Sequence, residues 1–180
     1  LWLIAYYTGV RRLIAALYLF GGPLYVGFLL AHSLALRDIG DANGVGRDWL
    51  LLALLTVFAA DTGAYLTGQT FGRHRMAPSI SPNKTWEGAA GGLAAALVAA
   101  VVLGLAFDLA TPRWQQLIIG ATVGVVAQWG DLFESRLKRL SNVKDAGSII
   151  PGHGGVLDRL DSVVVSIPVV YYLLATVFEP

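Results

Sequence analysis

Five apolar runs, each long enough to cross a bilayer, leave this chain little choice of fold. They fall at 13–36, 49–70, 89–107, 114–132 and 162–178, against the roughly 17 to 25 residues that a membrane-spanning helix needs. Hydrophobic residues make up 56% of the sequence and charged ones only 14%. Mean hydropathy is +0.62, which removes the chain from the class of ordinary soluble domains. The predicted fold is all-α: a polytopic transmembrane bundle of about five spans, forming one membrane-embedded domain over residues 1–180. Gly21, Gly22 and Pro23 interrupt the first run, and Pro168 should kink the last. Such breaks are tolerated where neighbouring helices satisfy the freed backbone groups.

The chain opens on LWLIAYYTG, which runs into Arg11 and Arg12. Charges that follow the apolar stretch, with no small-residue cleavage site, do not make a signal peptide. The expectation is the end of an upstream helix, in the C-terminal part of a longer protein whose N-terminal spans lie ahead of it. Basic residues set the orientation. With five spans, Arg11, Arg12, Arg73, Arg75, Lys84, Arg136, Lys138, Arg139, Lys144 and Arg159 share one side, and Arg37, Arg47 and Arg113 take the other. That bias places the two polar loops, 71–88 and 133–161, on the cytoplasmic face. Two loops separated by a helical hairpin return to the same side, where they can build one site. The absence of cysteine excludes disulfides and thiolate-ligated metals.

Small residues at Gly88, Ala89, Ala90, Gly91 and Gly92 predict close helix packing and make a homodimer a possibility to test. They do not form a phosphate loop, since no Lys-Ser/Thr ending follows. Trp2, Trp49 and Trp114 lie near span ends and read as interfacial anchors. For Trp86 and Trp129, packing is favoured over stacking on a nucleobase.

The densest polar stretch runs from Ser135 to Asp161, with five Lys or Arg residues, His153 and four glycines. A chain this apolar has little use for such a block outside chemistry. Asp131 stands at the end of the fourth span, and Asp158 and Asp161 are three apart, on one face if helical. Carboxylates at a membrane surface beside bases fit a hard cation such as magnesium, which takes a few carboxylate oxygens together with substrate phosphates. Acids also cap helix starts, so Asp158 and Asp161 have an equally good structural explanation in pairing with Arg159 or Lys138. Asp61 sits inside the second span, where an ionised carboxylate costs at least about 3 kcal/mol, which marks it as functional by default. Lys84, Lys138, Arg139, Lys144 and Arg159 can hold phosphates, or simply touch anionic headgroups. His153 is flanked by glycines that open backbone N–H groups to a ligand. His32 and His74 read as a helix residue and a loop base.

Two blocks carry a resemblance. Ser135-x-Leu-Lys-Arg, then Lys144-Asp145, then Pro151-x-His153-Gly154-Gly155-x-x-Asp158-Arg159-x-Asp161 resembles the signature of the phosphatidate cytidylyltransferase (CDP-diacylglycerol synthase) family. DTGAYLTGQTFGRHRMAPSISPNKTWEGAAGG, from Asp61 to Gly92, resembles that family's second characteristic block. The resemblance implies transfer of the cytidylyl group from CTP to phosphatidic acid, giving CDP-diacylglycerol and pyrophosphate, at the cytoplasmic face of a bacterial inner membrane. It implies Asp131 and Asp158 as metal ligands with Asp161 beside them, for Mg2+ and possibly a second cation. Lys84, Lys144 and Arg159 would hold the triphosphate or the lipid phosphate, with Ser135, Lys138 and Arg139 supporting the pocket. Asp61 and His153 would orient groups rather than abstract protons, because a phosphate monoester is already anionic near neutral pH. The implied partners are CTP, phosphatidic acid and membrane lipid, with no nucleic acid. Two other functions compete: a CTP-dependent polyprenol or phytol kinase, and a transporter using Asp61 and Asp131 for a coupling cation. The complete glycine-histidine and Asp-Arg-x-Asp signature speaks against the kinase. The gathering of acids at one face speaks against the transporter.

Overall fold

Where the apolar runs fall, helices form, and most reach further than the runs do. The computed structural model describes residues 10–39, 44–140 and 161–178. Helices α1 (Val10–Asp38) and α2 (Val45–Phe71) lead to a hairpin of β1 (Arg75–Ala77) and β2 (Ser81–Thr85). Helix α3 (Trp86–Ala106), α4 (Arg113–Leu140) and α5 (Asp161–Tyr172) follow, and α5 passes into a π-helical turn at Leu173–Val177. The opening LWLIAYYTG segment lies outside the described residues.

Three helices among the described residues, Val45–Phe71, Trp86–Ala106 and Arg113–Arg139, are long and apolar enough to cross a membrane. At about 1.5 Å per residue, even the shortest of them covers the roughly 30 Å hydrocarbon core. The protein is an integral membrane protein. The last apolar helix is shorter, Ser162–Val177. Pro168 sits inside α5, and the regular helix gives way to the π turn one residue after Tyr172. In contrast, α1 stays helical through Gly21, Gly22 and Pro23.

Three points depart from the sequence expectation. First, residues 71–88 are not a plain loop, because β1 and β2 pair antiparallel with Arg75 opposite Thr85 and Ala77 opposite Ser81. Second, the expected loop from 133 begins as helix, since α4 continues to Leu140. Glu134 and Lys138 pair one turn apart at 3.2 Å, and Lys138 and Arg139 stand in the last turn, where the negative end of the helix dipole favours cations. Third, Trp49 is no interfacial anchor: it is buried in the core with Leu36, Leu52, Val57, Ile119 and Val123. Trp86 and Trp129, expected to pack, are largely exposed.

Small residues set the spacing of α2, α3 and α4. Gly88, Gly92, Ala96, Ala100 and Gly104 recur every fourth position on α3 and are all buried. A Cβ on Gly88 would stand 2.8 Å from the Ala64 carbonyl of α2, and one on Gly92 2.8 Å from that of Ala60. From the other side, Gly120 and Gly124 of α4 meet Ala100 and Leu93 at 2.9 Å by the same measure. Gly88 and Gly92 are thus occupied by the chain's own helices, while Ala90 of the same run is exposed. At its start, α3 is capped by Thr85, whose hydroxyl accepts the Gly88 N–H at 3.1 Å.

Candidate active site

The hairpin and three helices enclose a cavity of about 450 Å³, within the range of small-molecule sites. Helix α2 contributes Asp61, Ala64, Tyr65, Gly68 and Gln69 to its wall, and the hairpin Met76, Asn83, Lys84 and Thr85. Gly88 and Ala89 come from α3, and Gln128 and Asp131 from α4. The hairpin turn is tied to α4 by Arg139, whose Nε donates to the Ile80 carbonyl at 3.4 Å.

One ion pair joins the hairpin to α4. Lys84 Nζ lies 2.5 Å from Asp131 Oδ2, with side-chain exposures of 22% and 35%. Contact between such partly desolvated charges is stronger than a surface pair, yet both groups stay within reach of an incoming ligand. The second oxygen of Asp131 accepts the Ser135 hydroxyl at 3.3 Å, one turn along α4. Gln128 donates from Nε2 to the Ala89 carbonyl at 3.0 Å and to the Gly124 carbonyl at 2.8 Å. With both amide hydrogens engaged, its remaining polar atom is an acceptor oxygen.

Of the residues singled out in the sequence, Asp61, Lys84 and Asp131 line this one cavity. Ser135 touches it through Asp131. Lys138 turns to Glu134 instead, and Arg139 to the hairpin turn. Lys144, His153, Asp158 and Arg159 lie outside the described residues, and Asp161 is described only as the first residue of α5. Sequence reasoning missed Gln128, Asn83, Tyr65 and Gln69. A neutral amide in the middle of an apolar helix was the signal for Gln128, since such groups seek partners across helices.

Among the described residues, no three histidine, cysteine or acidic side chains come together as a metal site. The oxygen donors that line the cavity are two carboxylates, the three side-chain amides of Gln69, Asn83 and Gln128, and the hydroxyls of Tyr65 and Thr85. Carboxylates with neutral oxygens suit a hard cation, and the Met76 thioether is the soft donor in the lining.

The sequence model of the Cytidylyltransferase family matches residues 4–177. This chain belongs to the cytidylyltransferase family. Its curated relatives include the phosphatidate cytidylyltransferase of Bacillus subtilis (strain 168), 41% identical over 152 residues, which are 84% of this chain and 55% of that protein. The phosphatidate cytidylyltransferase of Staphylococcus saprophyticus is 44% identical over 134 residues, 74% of this chain and 52% of the relative. That of Staphylococcus haemolyticus is 43% identical over 150 residues, 83% and 55%. The chain therefore spans about half the length of these relatives. In this cytidylyltransferase-family chain, the Asp61–Gly92 block supplies three walls of the cavity, and Gln128 and Asp131, just ahead of the Ser135 block, supply the fourth.

Proposed function

We propose that this chain forms the catalytic part of an enzyme that transfers the cytidylyl group from CTP to phosphatidic acid. The observation that carries this is the Lys84–Asp131 pair, a cation from the Asp61–Gly92 block and an anion at the end of the fourth apolar run, held in one cavity of a membrane-embedded bundle. A lipid phosphate is confined to the interface and a nucleotide arrives from water. A cavity opening among long apolar helices, beside a basic helix end, is where the two can meet.

In the reaction, a phosphatidate oxygen attacks the α-phosphorus of CTP, a new P–O bond forms, and the bond to the β-phosphate oxygen breaks to release pyrophosphate. Lys84 binds a phosphate oxygen as a point charge, with Lys144 and Arg159 of the neighbouring motif as further phosphate ligands. Asp131, with Asp158 and Asp161, would hold magnesium, which would offset charge on the phosphates, and the same carboxylates would accommodate a second cation. Ser135 holds the Asp131 carboxylate in place, and Asp61 and His153 orient bound groups. Alignment and charge neutralisation supply most of the rate, as in phosphoryl transfers generally. The excess of basic residues on the loop side supports a site on the cytoplasmic face, and the bacterial relatives support a bacterial inner membrane.

The test is a radiolabel assay on the full-length protein in mixed micelles with phosphatidic acid and magnesium. Label from α-labelled CTP should enter the lipid phase while pyrophosphate is released. Label from γ-labelled CTP entering a lipid alcohol, with CDP as product, would replace the transferase with a kinase.

A further inference from the structure

Lys84 reaches Asp131 from a short hairpin, and a two-stranded hairpin alone is marginal in water. What fixes its base is a single carboxylate. Glu87, in the first turn of α3, accepts the backbone N–H groups of Arg73 at 3.1 Å and His74 at 3.2 Å on Oε2. Its Oε1 lies 2.6 Å from His74 Nδ1. In return, the Trp86 N–H donates to the His74 carbonyl at 2.9 Å. These bonds tie the exit of α2 to the entry of α3 directly beneath the first hairpin pair, Arg75 opposite Thr85. Lys84 is the next residue. At the other end of the hairpin the tie to α4 is one long bond from Arg139 to Ile80.

We propose that Glu87 is a positioning residue for the transfer reaction: its carboxylate clamps the hairpin base so that the Lys84 amine is held against Asp131, and it acts only through Lys84. The kinetic part of this rests on the function proposed above; the geometric part does not. The chemistry explains why a glutamate is used. Two backbone donors and an imidazole approach two separate oxygens. An aspartate is one methylene too short to meet them from the same helix position. A glutamine keeps an oxygen for the two N–H groups and offers its amide to the imidazole. If Glu87 were there only as an acid favouring the helix N-terminus, aspartate would serve as well and glutamine worse.

The experiment compares Glu87→Gln, Glu87→Asp and Glu87→Ala in the full-length protein. Competitive acylation of amines, read by mass spectrometry, gives the labelling of Lys84 relative to Lys138, which is paired with Glu134 on α4. The ratio should rise about fivefold in the alanine and aspartate variants, the factor expected for losing a partly exposed ion pair, and stay within about twofold in the glutamine variant. Turnover should fall on the order of 10- to 100-fold in Glu87→Ala. In a Lys84→Ala background the same change should cost nothing further. An unchanged labelling ratio in a folded Glu87→Ala protein overturns the proposal, as do losses that multiply in the double variant. Should the alanine variant not fold, the contrast of aspartate with glutamine decides by the same ratio. Because the labelling needs no turnover, failure of the enzymatic assignment would leave this arm standing, and failure of the clamp would show there first.

Discussion

Gly92→Ala, set against Gly27→Ala, tests whether α3 is held at backbone distance from its neighbours. At Gly92 an added methyl would lie 2.8 Å from the Ala60 carbonyl oxygen and 2.9 Å from the Ala64 Cβ. Non-bonded carbons prefer about 3.5 to 4.0 Å, so α2 and α3 would have to part by roughly 0.5 to 1 Å. Helix α3 cannot yield by moving towards α4, because Gly120 and Gly124 already meet it at 2.9 Å by the same measure. Overpacking of this kind costs about 1 to 3 kcal/mol. At Gly27 nothing lies within 4 Å of the added methyl, so that variant reports only the helix preference of alanine over glycine, a gain of about 0.8 to 1 kcal/mol. Both positions are mid-helix, so the preference cancels and the difference between the variants isolates the steric cost, about 1 to 3 kcal/mol. Reversible unfolding by a denaturing detergent in bicelles measures it. Equal stabilities for the two variants would refute the close packing of α2 on α3.

Two further outcomes follow from the ion pair. Lys84→Ala should weaken nucleotide or lipid binding, raising a Michaelis constant at least about tenfold, with Lys84→Arg restoring part of it; unchanged constants for both substrates would remove Lys84 from phosphate binding. Asp131→Asn should abolish turnover on the order of 100-fold or more in a protein that still runs as a folded species on gel filtration, and chelation of magnesium should silence the wild type reversibly; substantial activity of Asp131→Asn at saturating magnesium would exclude it as a ligand.

The helices were legible because apolar length is a direct demand of the bilayer, and the site charges because an ion is conspicuous in such surroundings. Asp61, Lys84 and Asp131 are all of that kind. The hairpin was not legible. Its strands have three and five residues, carry no alternating apolar pattern, and include Pro82, which reads as a turn signal. They pair because their ends are fixed from outside, by the joining of α2 to α3 and by Glu87, and no local pattern records that. The extension of α4 to Leu140 was hidden for a different reason. Hydropathy registers where the membrane ends, whereas helix continues as long as pairs such as Glu134 with Lys138 support it. Gln128 was passed over because it is neutral, although its two bonds to helix carbonyls do as much to shape the cavity as any charge.

The fold gives Asp61, conspicuous in the sequence for its cost, polar residues in the same cavity wall. It lies ten residues before the end of α2, about 15 Å of helix, whereas Asp131 stands at the end of the fourth apolar run. An ionised carboxylate facing lipid at that depth would be expensive. Here Asp61, exposed on α2, lines the same open cavity as Lys84, Gln128 and Asp131. Small residues on α3 make this possible, since Gly88 and Gly92 let α2 approach close enough for its carboxylate to share a wall with residues of α4. Widening that approach would separate Asp61 from the pair while leaving every span in the membrane. The glycines of the Asp61–Gly92 block and the charges at Asp61, Lys84 and Asp131 are therefore parts of one requirement: a cavity where a few polar groups converge among closely packed helices.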